Sequence, residues 1–131
     1  MKSSSLQLRK LIAAAKTAQR NAHAPYSKFR VGAALLTKSG RIFTGVNVEN
    51  ASYGLTNCAE RVAVGKAVSE GHRQFRAIAV VAPSAALSPC GACRQVLAEF
   101  GDCVVICADS RNTKRVRIHV LSELLPHTFK L

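Results

Sequence analysis

No stretch of this chain is apolar for long enough to cross a bilayer. The longest runs, residues 77–83 and 104–108, fall far short of the about 20 residues a spanning helix needs. No secretory leader is expected either, because the basic opening MKSSSLQLRKLIAAAKTAQR, which has the charge of a transit sequence, has no separate apolar segment before a cleavage site. Its apolar residues recur instead at helical spacing (Leu8, Leu11, Ile12, Ala15, Ala18), so it reads as an integral helix, and a cytoplasmic protein with no membrane partner is expected. Linkers, repeats and low-complexity tracts are likewise absent, so residues 1–131 are expected to form one catalytic domain. Acidic residues are scarce: seven Asp and Glu stand against nineteen Lys and Arg, a formal charge of +12. That balance favours polyanions. Yet the basic residues are scattered from Lys2 to Lys130, and only Arg111, Lys114, Arg115 and Arg117 cluster. The expectation is a solvated surface whose low-salt nucleic-acid binding is nonspecific and without function.

What is present is an alternation of helix and strand patterns. Residues 5–22 read as an amphipathic helix ended by His23-Ala24-Pro25. RVGAALL and RIFTGVN read as strands joined across Thr37-Lys38-Ser39-Gly40, a hairpin signal. A loop, VENASYGLT, leads to a helix from about residue 58 to 70, stopped by Gly71. FRAIAVVAP suits a strand buried on both faces. A helix over about 90–100 ends at Gly101, DCVVICAD and KRVRIHV read as the last two strands, and residues 121–125 as a short closing helix. This rhythm predicts a three-layer α/β/α sandwich around a five-stranded mixed sheet. Only about five residues, 109–113, join the last two strands. A parallel pairing needs a crossover of about a dozen, so these strands are expected to be antiparallel.

Five cysteines without a leader point to metal binding or reduced core thiols rather than a disulfide framework. Cys103 and Cys107 lie on one face of a strand pattern and read as buried thiols. Cys58, Cys90 and Cys93 differ. They open two helices, in Cys58-Ala59-Glu60 and in Pro89-Cys90-Gly91-Ala92-Cys93, where the backbone dipole favours the thiolate form that binds zinc. Three protein ligands leave a fourth tetrahedral position open, as catalytic zinc requires. Water held there is acidified toward neutrality. Glu60, two residues from a ligand, is placed to move its proton. A lone CxxC is weak evidence, but Pro-Cys-x-x-Cys about thirty residues after Cys-x-Glu is the signature of zinc deaminases.

Beyond the signature, the chain closely resembles the small homotetrameric cytidine deaminases over nearly its whole length, through APYSKFRVGAALL, GVNVENASYG, NCAER, KAVSEG, SPCGACRQVLAEF and the terminal ELLP. The resemblance implies hydrolytic deamination of free cytidine and 2′-deoxycytidine to the uracil nucleosides in pyrimidine salvage, with one zinc per subunit. Cys58, Cys90 and Cys93 would hold the zinc, whose bound hydroxide attacks C4 with Glu60 as proton shuttle to N3 and then to the departing amine. Asn47 and Glu49 would bind the ribose hydroxyls, Glu49 taking the 3′-hydroxyl. Phe29 would pack on the pyrimidine, Ala59 would offer backbone contacts to the base, and the peptide at Ser88 would accept from the amine. Tyr53 and Phe129 look like aromatics contributed by a neighbouring subunit. Arg61 resembles the family's arginine that donates to cysteine sulfur, drawing charge from three thiolates that would otherwise weaken the metal as a Lewis acid.

Three other functions compete. A polynucleotide editor shares the chemistry and suits the charge, but such enzymes commonly use histidine as first ligand and insert a helix before the last strand. A blasticidin-type deaminase shares three cysteines, against which the complete NVENASYG stretch argues. A zinc-stabilised binding module has no use for Glu60.

Overall fold

In the computed structural model, which describes residues 4–131, the order is α1 (Ser4–Gln19), β1 (Gly32–Thr37), β2 (Ile42–Val46), a 3-10 turn (Tyr53–Leu55), α2 (Ala59–Ser69), β3 (Phe75–Ala82), α3 (Gly91–Ala98), β4 (Val104–Asp109), β5 (Asn112–Val120) and α4 (Leu121–Leu124). Lys2 lies outside the described residues. The five strands form one mixed sheet in the order β2-β1-β3-β4-β5. β1 is antiparallel to both β2 and β3, β3 is parallel to β4, and β4 is antiparallel to β5. The mixed five-stranded sandwich and its antiparallel final pair are as the sequence led us to expect.

Alternation along the strands sorts the core into two clusters. On one face, Leu11, Ile12 and Ala15 of α1 pack against Ala34, Leu36, Ala77, Ala79, Val81, Ile106 and Ala108. On the other, Ala59, Ala63, Val64 and Ala67 of α2 and Leu97 of α3 meet Leu35, Phe43, Ile78, Val80, Val105 and Cys107, with Leu121 of α4 closing the end. Cys103 and Cys107 are buried there, and burial pushes their thiols up to about 12 and about 11. They are inert core side chains. Close approach is built into this layer: a Cβ at Gly45 of β2 would collide with the backbone of Ala59 and Ala63, so glycine lets α2 lie directly on the hairpin.

Element ends depart from the sequence reading where a distant partner intervenes. α1 stops at Gln19 rather than near residue 22, because the next residues turn toward β2, where His23 N donates to Asn47 O at 3.0 Å and Glu49 N to His23 O at 2.9 Å. β4 begins at Val104 and not at Asp102, whose Oδ1 accepts from Cys103 N and Ser122 N, both at 3.0 Å, and so holds the start of α4. The final connection is tighter than expected, since β5 already starts at Asn112 and leaves two residues, Ser110 and Arg111, between the strands. Gly71 and Gly101 do stop α2 and α3, with φ of 90° and 98°.

Candidate metal centre and nucleoside pocket

α2 and α3 begin next to each other on the same face of the sheet, and each is opened by a cysteine at its N-cap, Cys58 and Cys90. The backbone at both caps is extended, which turns their side chains toward the gap between the helix ends. Cys93, one turn into α3, is buried beneath them. The Cys58 and Cys90 sulfurs lie 3.9 Å apart, those of Cys90 and Cys93 3.5 Å apart, and all three fall within 4.8 Å of one another. All five cysteines of the chain are free thiols.

This donor set fits a soft, tetrahedral cation. Thiolates are the ligands that select zinc, and three leave one position for water. The surroundings favour the thiolate form: the Cys58 thiol is lowered to about 5, by the hydrogen bond with Cys93 and then by Arg61, whose Nη2 donates to its sulfur at 3.4 Å. Cys93 moves the opposite way, up, through its hydrogen bond to Cys58 and its burial. Arg61 Nε is buried without a partner, so the guanidinium meets the sulfur cluster through Nη2 alone. His23, His72, His119 and His127 belong to no such cluster among the described residues.

Glu60, in the first turn of α2, is 5% exposed, and burial raises its carboxyl to about 7. It lies on the floor of a cavity of about 280 Å³ that Phe29, Asn47, Glu49, Tyr53, Cys58, Ala59, Ser88 and Cys90 also line. The fold therefore gathers into one cavity residues that the sequence scatters over sixty positions. Tyr53 stands at this chain's own rim, 82% exposed. Phe129 is not brought to the cavity. Its ring is 69% exposed, while its N–H and carbonyl are held by Gln95 Oε1 and Nε2 at 3.2 and 3.1 Å.

Two supporting residues escaped the sequence reading. Ser27 donates its hydroxyl to Glu49 Oε2, and Glu49 Oε1 accepts from Tyr26 N and Ser27 N at 3.0 and 3.1 Å. The Ser27 hydroxyl is the main cause that holds the Glu49 carboxyl below the ordinary glutamate range. Nothing local in PYSKF signals this contact. Arg94 does carry a signal: a cation in the first turn of a helix opposes the dipole, which suggests a specific partner. Its Nη2 donates to Ser88 Oγ at 2.7 Å and its Nε to Pro89 O at 2.8 Å.

Comparison with known proteins agrees with this geometry. A family model described as the cytidine and deoxycytidylate deaminase zinc-binding region matches residues 5–109. A probable cytidine deaminase of Dictyostelium discoideum is 54% identical over 126 residues, 94% of this chain and 84% of that protein. A cytidine deaminase of Halalkalibacterium halodurans is 52% identical over 122 residues, 91% of each chain. The crystal structure of cytidine deaminase from Burkholderia pseudomallei is similar with a TM-score of 0.87 at 49% identity, over 92% of this chain and 98% of that one.

Proposed function

The chain belongs to the zinc-binding cytidine and deoxycytidylate deaminases, and from that premise we propose that it hydrolyses free cytidine and 2′-deoxycytidine, with water, to uridine or 2′-deoxyuridine and ammonia. As a cytidine deaminase it is a hydrolase. The observation that carries the substrate assignment is the meeting, in one small cavity, of a buried carboxylate beside three thiols and of a polar end formed by Asn47 and Glu49. The first suits chemistry at C4 of a pyrimidine, and the second suits a ribose swallowed whole.

Cys58, Cys90 and Cys93 would hold the zinc, which would supply Lewis acidity and bring water toward a neutral pKa. Glu60 would carry the first proton of the attacking water to N3, where the uracil product keeps it, and the second, from the hydroxyl formed at C4, to the departing amine, so both protons of water are accounted for. Ala59, at the helix N-terminus, offers its backbone to the base, Phe29 covers the ring, and Ser88 receives the amine. Glu49 orients the 3′-hydroxyl, with Asn47 beside it. Arg61 offsets the charge of the sulfurs it touches.

Pyrimidine salvage in the cytoplasm is the setting we propose, with residues 1–131 acting as one catalytic domain. Among the described residues no helix is long and apolar enough to cross a membrane. A homotetramer would give the exposed Phe129 ring a role over a neighbour's pocket, because its own chain offers it none. The turn Ser110-Arg111 supports a nucleoside over a polynucleotide substrate, since it leaves no room for the helix that editing enzymes insert.

The deciding experiment is an absorbance assay with cytidine, deoxycytidine, cytidine monophosphate and single-stranded oligonucleotides side by side, with metal analysis and sedimentation on the same preparation. Turnover of the two nucleosides, one zinc per chain and a tetramer are expected. Preference for the strand, or a fully active monomer, would overturn the corresponding part.

A further inference from the structure

The segment between β3 and α3 forms one wall of the cavity and delivers Cys90, yet it has little backbone pairing of its own beyond Ser84 N to Ala82 O at 2.8 Å. Guanidinium groups hold it instead. Arg117 of β5 donates to Leu87 O. Arg94 takes the next two residues, with Nη2 on Ser88 Oγ at 2.7 Å and Nε on Pro89 O at 2.8 Å, and its Nη1 reaches Leu124 O of α4 at 2.8 Å. One planar fork therefore fixes three acceptors relative to one another, which an ammonium on a flexible stem cannot do. The cost of a cation at the positive end of α3 is offset by these contacts. Arg94 engages the Ser88 hydroxyl and the Pro89 carbonyl, and so holds the Ser88 peptide from its side chain and from the residue that follows.

We infer that Arg94 is a positioning residue for deamination: it sets the peptide at Ser88 where the amino group of the substrate meets it, braced against the C-terminal segment through Leu124. The inference rests on the proposed role of Ser88 as acceptor for the leaving amine. Because that amine becomes ammonia only as the reaction proceeds, misplacing the acceptor lowers kcat for amine-bearing substrates. It leaves ligands without the amine nearly untouched.

Arg94→Gln and Arg94→Lys separate this role from a merely structural one. Each is measured for zinc content, for kcat and KM with cytidine, and for inhibition by pyrimidin-2-one ribonucleoside, which shares the sugar and ring but lacks the 4-amino group. We expect one zinc per chain, an inhibition constant within about threefold of the parent and a kcat for cytidine lower by about tenfold or more in both variants, lysine giving no rescue. A kcat within about threefold of the parent would overturn the inference. So would losses of zinc, inhibitor binding and kcat in parallel, which mark a general collapse of the wall. Should the glutamine variant fail to fold, the lysine variant carries the same comparison. Failure of the unaltered protein to convert cytidine would instead count against the proposed substrate, so the two ideas fall to different results.

Discussion

Asn47 holds the main chain of Phe29 and Val31 from both ends of its amide, donating from Nδ2 to Phe29 O at 2.8 Å and accepting at Oδ1 from Val31 N at 2.9 Å. The residue proposed to meet the ribose thus also places the ring proposed to meet the base. Asn47→Asp keeps the acceptor for Val31 but sets a carboxylate oxygen against the Phe29 carbonyl. KM for cytidine should rise by about tenfold, the loss of one buried hydrogen bond plus repulsion, with a smaller change in kcat. Steady-state kinetics over a wide cytidine range reads the split, and an unchanged KM would count against the double role.

Glu60→Gln should leave the fold and the zinc content intact and remove nearly all turnover. Acid–base catalysis contributes roughly 10²–10⁴-fold, and here one carboxylate serves several proton transfers, so the loss should reach the top of that range. Retention of a tenth of the parent kcat would be fatal to the assigned role. Metal analysis of the same sample separates lost chemistry from lost zinc.

Acid stability should respond to Asp109. This carboxylate is 1% exposed, receives Arg111 Nε and Nη2 at 3.0 and 2.9 Å, and is held below the ordinary aspartate value of 3.8 by that hydrogen bonding. Its pKa is depressed in the folded state, so on acidification the unfolded chain takes up the proton first. The stabilisation is full above 3.8 and is lost as pH falls through the lower, folded value. Asp109→Asn should therefore be less stable than the parent at pH 7, and the gap should narrow as pH falls below 3.8. Urea midpoints at pH 7 and at a series of values below 3.8 test this, and a gap that does not narrow with acid would locate the effect elsewhere.

Much of the fold is legible in the sequence because its signals are local. The turn at residues 37–40, the glycines at 71 and 101 and the short final connection each act within a few residues of themselves. The cysteines and Glu60 are legible for the same reason, since each pattern opens one helix. Ser27 is not, because its partner Glu49 lies 22 residues away, and Arg94 shows by its place at a helix start that it needs partners but not that Leu124, 30 residues away, is one of them. The strand order, which puts β3 beside β1 with the hairpin partner on the outer edge, is likewise a long-range outcome.

The surplus of positive charge should show itself away from the cavity. No acid precedes Glu49 in the chain, and Arg9, Lys10, Lys16 and Arg20 are all exposed along and just beyond α1, which covers the sheet face opposite α2 and α3. An oligonucleotide should bind near about 20 mM salt and let go steeply by about 200 mM, through counterion release. The bound strand should not be deaminated, and cytidine turnover should stay level, because an uncharged substrate gains nothing from steering. Lys10→Glu with Lys16→Glu should weaken the binding without changing kcat. Efficient conversion of cytosine within the strand would show that the basic face delivers substrate.

The sheet order also has a consequence for how the chain folds. β1–β2 and β4–β5 are neighbours in sequence and can pair early, whereas Gly32 must find Val81 and Ala77 must find Val104 across long loops, which is the slow part of such a topology. Cys58 rides on the helix that covers the first hairpin, and Cys90 and Cys93 ride on the crossover out of β3. The native spacing of the three sulfurs is complete only when both helices lie side by side on the sheet. A metal that takes up this spacing would favour the finished sheet over the unfolded chain and so tie its two halves together.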